Sequence, residues 1–227
     1  MRLGGLQRFS LIDYPGKISA IVFTIGCNFR CPYCHNPELV DETAEALSEE
    51  TFFSFLQRRI GLLDAVTITG GEPTLHSDLV PFIEKIKAMG FLVKLDSNGT
   101  NPSTLKQLID SKLIDYVAMD IKAPLHKYEA TIARPVDLAN IQESIALILK
   151  NQIPYEFRTT VVKSLLSPED FTHIGRLIEG AELYYLQKFI PTKLLNPAFL
   201  KKAVYSDEEF ESLRTPMEHY VTTCLIR

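Results

Sequence analysis

Three things are scarce in this sequence: long apolar runs, an excess of basic charge, and cysteines spread along the chain. Each absence removes a class of protein. A bilayer span takes about 20 consecutive apolar residues, and no run comes near that length. The opening residues Met1-Arg2-Leu3-Gly4-Gly5-Leu6-Gln7-Arg8 lack the apolar segment of a secretion leader. No membrane partner and a cytoplasmic location are therefore expected. The formal charge is −4, and the Lys and Arg residues are scattered rather than gathered in a stripe that could neutralise a phosphate backbone. Nucleic acid is not an expected partner. Of four cysteines, three fall within eight positions and the fourth, Cys224, stands alone near the other end. That is unlike a disulfide framework and points to a reducing compartment and a metal site.

What is present describes an ordinary globular chain. Its 227 residues, 46% hydrophobic and 23% charged, suffice for one domain with a sizeable core. There is no internal repeat, low-complexity segment or linker. After a turn-like Asp13-Tyr14-Pro15-Gly16, apolar and β-branched runs recur at 20–24, 65–69, 91–95, 116–119, 157–162 and 183–186. Helical stretches at 49–59, 79–89, 102–111, 137–150 and 168–179 lie between them, several opened by Ser, Asp or Pro. Alternating strand and helix predicts an α/β fold with a parallel sheet, and the right-handed crossover rule curls it into a partial (β/α)6, TIM-like barrel. A doubly wound open sheet has the same alternation and stays open at this point. In a barrel, Cys27, Gly70, Asp96 and Asp120 all fall at the C-terminal strand ends, where reactive groups collect.

Cys27-Asn28-Phe29-Arg30-Cys31-Pro32-Tyr33-Cys34 places three thiols at intervals of four and three on one short loop. Three ligands on a four-iron cubane leave one iron free for an outside ligand, as an open catalytic metal site does. The competing reading is a zinc site completed by Cys224 or His35. Closed zinc sites usually draw ligands as two pairs, and no second pair is present. Cys224 by itself reads as a small buried hydrophobe. Gly70-Gly71-Glu72-Pro73 has two residues without β-carbons, which let a ligand approach the backbone closely or simply make a tight turn. Asp96-Ser97-Asn98-Gly99 favours an Asx-type turn. Asp120 and Lys122 read either as site residues or as surface charges. Arg158 lies within an apolar strand and needs a polar partner there. His76, His126, His173 and His219 have no ligand spacing.

The C-x3-C-x2-C loop after a first strand, with Tyr33 just before the last cysteine, resembles the signature of the radical S-adenosylmethionine (SAM) superfamily. That resemblance implies a single radical SAM domain over residues 1–227 with a [4Fe–4S] cluster on Cys27, Cys31 and Cys34. It also implies that the amino and carboxylate groups of SAM chelate the free iron, and that electron transfer to the sulfonium releases methionine and a 5′-deoxyadenosyl radical. No protein acid or base is required for that chemistry. Gly70, Gly71 and Glu72 resemble the family's G-G-E-P motif, which binds the SAM amino group. Asp96, Ser97 and Asn98 resemble the D-T-N-G segment of glycyl-radical-enzyme activases, with Ser97 in place of threonine. Asp120 and Lys122 resemble a D-x-K segment near the methionine moiety that holds a monovalent cation, and Arg158 resembles a SAM contact on the fifth strand. Phe189-Ile190-Pro191 resembles a last-strand adenosine contact.

Tyr33-Cys34-His35-Asn36 is similar to a Y-C-H-N run of activases, placing Tyr33, Cys34 and His35 at the cofactor. The run from Gly5 to Gly16 resembles anaerobic ribonucleoside-triphosphate reductase activating proteins. The implied partner is a glycyl radical enzyme, namely that reductase, with flavodoxin or ferredoxin as reductant. No further cysteine lies between Cys34 and Gly70, so one cluster is expected. Two other readings stay open: a radical SAM enzyme acting on a small molecule, such as a deazapurine-forming ring contraction, and a non-catalytic iron–sulfur or zinc protein.

Overall fold

In the computed structural model, which describes residues 1–150 and 152–227, the chain forms one eight-stranded sheet. Its strands are β1 (Leu3–Ser10), β2 (Ser19–Thr24), β3 (Ala65–Gly70), β4 (Leu92–Ser97), β5 (Tyr116–Asp120), β6 (Tyr155–Val161), β7 (Leu183–Lys188) and β8 (Thr223–Ile226). Around them run α1 (Pro37–Val40), α2 (Glu49–Gln57), α3 (Leu79–Ala88), α4 (Pro102–Asp110), α5 (Tyr128–Ile132), α6 (Leu138–Ile148), α7 (Pro168–Leu177) and α8 (Asp207–Met217). The six expected strands are β2 to β7, and the five expected helices are α2, α3, α4, α6 and α7. β1 adds an antiparallel strand at one edge and β8 a parallel one at the other.

Spatial order follows chain order from β1 to β8. A doubly wound sheet reverses order at a switch point and covers both faces with helices. This sheet does neither. Val22, Ile68, Leu95, Val117, Phe157 and Leu186 form one apolar cluster with helical residues such as Phe52, Phe82, Leu105, Ile145, Phe171 and Phe210. Burying each large side chain of this kind is worth about 1.5–3 kcal/mol, so the helices settle on that face. The opposite parity of the same strands is polar. The register aligns Thr67 with Lys94, Asp96 with Ala118, Ala118 with Glu156, and Asp120 with Arg158 along it. Singly wound topology with a polar inner face is that of a partial barrel, left open because β1 and β8 are edges.

Local signals fix the ends of the elements. Ser48 and Asn101 cap α2 and α4 by accepting from Thr51 N and Thr104 N, while capping boxes open α7 (Ser167, Asp170) and α8 (Ser206, Glu209). Each cap contributes about 1 kcal/mol. The expected turn at 13–16 forms, with Lys17 N donating to the Tyr14 carbonyl at 3.1 Å. It carries Tyr14 against Tyr116, ring centroids 5.5 Å apart, in a small cluster with Ala65 and Leu92 on the inner face. No helix among the described residues is long and apolar enough to cross a membrane.

Candidate functional site

β2 delivers the chain to Gly26, whose N–H donates to the Leu39 carbonyl at 2.8 Å, and the cysteine loop follows. Two buried aromatics, Phe29 and Tyr33, anchor that loop from below, with Phe29 edge-on to Tyr128 at 6.3 Å. Arg30 folds back and donates from Nη1 to the carbonyls of Cys27 (2.6 Å) and Phe29 (2.8 Å). Cys34 N donates to the Cys31 carbonyl at 3.0 Å, and Phe29 N to Cys27 Sγ at 3.4 Å. Cys31 is buried; Cys27 and Cys34 are half-buried. A single cavity is lined by all three cysteines together with Tyr33, His35, Gly70, Gly71, Glu72, Asp96, Ser97, Asn98, Asp120 and Lys122. Of the candidate site residues read from the sequence, Arg158 and the segment Phe189-Ile190-Pro191 are not in its lining.

Arg158 lies behind the cavity wall and has the polar partners its strand position demanded. Its Nε donates to Asp120 Oδ1 at 2.8 Å and its Nη1 to Asp96 Oδ2 at 3.0 Å. Lys122 Nζ donates to Asp120 Oδ2 at 3.0 Å. Two residues that sequence reasoning missed complete the lattice: Lys94 Nζ is 2.9 Å from Asp96 Oδ1, and Glu156 Oε1 is 3.8 Å from both Lys94 and Arg158. Tyr116 OH donates to Glu156 Oε2 at 3.0 Å. Lys94 and Glu156 each precede a flagged residue, Asp96 or Arg158, by two positions, and period two puts them on the same face. A charged residue inside a strand was the available signal. Burial pushes the Asp96 and Asp120 carboxyls up, but Arg158 and the neighbouring lysines outweigh it and hold both below the usual carboxylate range. Both stay ionised, and Lys122 stays charged because Asp120 overcomes its desolvation.

Glu72 is only 1% exposed, and its carboxylate is committed to the chain itself. Oε1 accepts from Thr74 N (3.1 Å), Thr74 Oγ1 (2.5 Å) and Ser97 Oγ (2.9 Å), and Oε2 from Asn98 N (2.6 Å). These four donors brace the loops after β3 and β4 against each other, and the residue still lines the cavity with the cysteines. Gly70 has φ +115°, and a β-carbon there would lie 2.4 Å from Thr24 N, so both backbone angle and space require glycine.

The cysteines fit an iron–sulfur group. Burial raises the Cys27 thiol to about 12 and the Cys31 thiol to about 11, with Cys34 also pushed up, so a metal's positive charge is what would draw them to thiolate. Cys224 is buried in β8 beside α8, with Arg214, Glu218 and Glu211 as its charged surroundings. It does not line the cavity. Beyond β7, His35 Nε2 donates to the Ile190 carbonyl at 2.8 Å, with its ring 6.2 Å from Phe189, bringing that segment to the cysteine loop. Leu195 N and Asn196 N donate to the carbonyls of Cys34 and Pro32, each at 2.9 Å. The start of this strap, Phe189-Ile190-Pro191, is the segment whose resemblance to a last-strand contact the sequence offered, whereas no sequence signal marked Leu195 and Asn196.

Comparison with known proteins agrees with this arrangement. The family model of the radical SAM superfamily matches residues 21–178. A protein of Methanocaldococcus jannaschii, provisionally named a glycyl-radical enzyme activating enzyme, is 36% identical over 230 residues, covering 99% of this chain and 95% of that one. The pyruvate formate-lyase-activating enzyme of Clostridium pasteurianum is 32% identical over 130 residues, 53% of this chain and 52% of that one. Among solved structures, Streptococcus suis SuiB bound to its precursor peptide SuiA has the same fold, with a TM-score of 0.69 at 16% identity over 91% of this chain and 48% of that chain.

Proposed function

The chain belongs to the radical SAM superfamily, and from that premise we propose that it is a glycyl-radical-enzyme activase whose partner is an anaerobic ribonucleoside-triphosphate reductase. The observation that carries the reading is the meeting of three thiols with the loops after β3, β4 and β5 in one cavity of an open barrel. Cys27, Cys31 and Cys34 would hold a [4Fe–4S] cluster, and SAM bound beside it would supply, on reduction, the radical that removes a hydrogen atom from the partner's glycine.

The rest is positioning by this chain's own groups. Gly70 and Gly71 let a ligand approach the backbone. Asp96, Ser97, Asn98, Asp120 and Lys122 supply the polar contacts for SAM, and Tyr33 and His35 flank the cysteine end. Arg158 reaches SAM through the two carboxylates it fixes, so its part is to orient Asp96 and Asp120. A monovalent cation beside Asp120 belongs to the same reading, as does flavodoxin or ferredoxin as the electron donor. The sheet's two unpaired edges leave room for a macromolecular substrate, which supports a protein partner over a small molecule.

The test is electron paramagnetic resonance on anaerobically reconstituted protein, reduced and mixed with SAM and an anaerobic ribonucleotide reductase. A glycyl-type doublet on the partner, lost in Cys31→Ala, supports the activase reading. A cluster signal perturbed by SAM without a doublet moves the substrate to another glycyl radical enzyme or to a small molecule. No cluster signal at all overturns the reading.

A further inference from the structure

The geometry points to a closed hydrogen-bond circuit that locks three loops around the cavity, with Glu72 and Asn28 as its positioning residues. The first link is backbone to backbone: Glu72 N donates to the Gly26 carbonyl at 2.8 Å, and Gly71 N to the Thr24 carbonyl at 2.9 Å. The second is the buried Glu72 carboxylate, which takes Ser97 Oγ and Asn98 N and so ties the β3 loop to the β4 loop. The third returns to the start. Asn98 Nδ2 donates to Asn28 Oδ1 at 2.8 Å, and Asn28 Nδ2 donates to Thr100 Oγ1 at 2.9 Å. Chain connectivity from Gly26 to Asn28 closes the ring.

The two positioning residues differ in character. Glu72 is a buried brace whose loss leaves several donors unsatisfied. Asn28 is exposed, yet both ends of its amide are used on partners some 70 positions away. A surface asparagine with no role there would be hydrated instead. Asn28 adjoins Cys27, so the ring sets where that thiol stands relative to the walls formed by Gly70–Glu72 and Ser97–Asn98. The cavity is thereby shaped before any cofactor enters. This inference rests on the proposed cofactor reading for its purpose, while the circuit itself is a property of the cofactor-free chain.

The test is hydrogen–deuterium exchange on the cofactor-free protein, comparing wild type with Asn28→Ala, Asn28→Asp and Glu72→Gln. Groups coupled in one network respond together. Asn28→Ala is expected to speed exchange roughly two- to tenfold, the weight of one net hydrogen bond, at 97–101 and also at 70–75, which Asn28 does not touch. Asn28→Asp keeps the acceptor for Asn98 and should restore protection at both. Glu72→Gln should loosen the same two loops, and its combination with Asn28→Ala should add little. Acceleration confined to 98–100, or additive effects in the double variant, would overturn the circuit. Iron and sulfide content of reconstituted wild type reports separately on the cofactor reading, because the exchange comparison needs no cluster.

Discussion

Gly71→Ala measures how tightly the cysteine loop is packed on the loop after β3. A β-carbon built at Gly71 lies 1.9 Å from the Gly26 carbonyl oxygen and 2.6 Å from its carbon, which is rigid backbone. Reaching ordinary contact needs an opening of about 1.5 Å. That opening breaks the bonds from Gly71 N to Thr24 O and from Glu72 N to Gly26 O, at about 1 kcal/mol each. Strain from overpacking adds about 1–3 kcal/mol, so the expected loss is roughly 3–5 kcal/mol. Gly90→Ala is the control. Gly90 has φ +89° but nothing within 4 Å of a built β-carbon, so it carries only the left-handed backbone cost of about 1–2 kcal/mol. Urea unfolding followed by circular dichroism, with slopes compared to verify a common transition, gives both values. If Gly71→Ala lies within about 1 kcal/mol of wild type, the error of such extrapolations, or costs less than Gly90→Ala, the close approach of the two loops is wrong.

Arg158→Met removes the fork between Asp96 and Asp120 and should cost about 3–5 kcal/mol in chemical denaturation, the usual penalty for stranding a buried charge partner. Arg158→Lys, which keeps the charge without the fork, should cost less. Asp170 closes the α7 capping box and accepts from Lys127 Nζ at 2.7 Å. Burial pushes its carboxyl up, but Lys127 and Ser167 outweigh this and hold it below the usual range. A depressed carboxyl stabilises the fold above its unfolded pKa of about 3.9 and loses that contribution as pH falls through the folded value. Asp170→Asn should therefore cost about 1–3 kcal/mol at neutral pH and progressively less in acid, read from unfolding free energies across that range. Cys224→Ala should cost about 1 kcal/mol and leave the iron content of reconstituted protein unchanged. Loss of iron in that variant would return Cys224 to the metal site.

β2 to β7 and the helices between them were legible because each carries a strong local period: apolar β-branched runs for the inner strands, capped amphipathic stretches for the helices. The two edge strands were not. β1, Leu3-Gly4-Gly5-Leu6-Gln7-Arg8-Phe9-Ser10, has two glycines and exposed polar residues, and β8 has four residues with Leu225 half out in solvent. Edge strands bury one side at most, so their sequences need not be apolar. α8 was missed although Ser206 and its acidic first turn are helix-start signals; Pro216 interrupts the pattern at its other end, and packing of Phe210, Leu213 and Met217 on the core settles it.

The candidate site was legible residue by residue, since the three-cysteine loop, Gly70-Gly71-Glu72 and the polar residues after β4 and β5 are local features of composition and spacing. That Arg158 needs a polar partner was equally legible, because an isolated charge in an apolar strand is too costly to bury. Which partners Arg158 takes, that Lys94 and Glu156 join them, and that Glu72 accepts from Ser97 and Asn98 follow from the three-dimensional arrangement of the strands. Several of these bonds join residues far apart in the chain, such as Glu72 with Ser97 at a separation of 25 and Asn28 with Asn98 at 70. Local propensity has no term for such pairings; they exist because the winding of the sheet brings its C-terminal strand ends together.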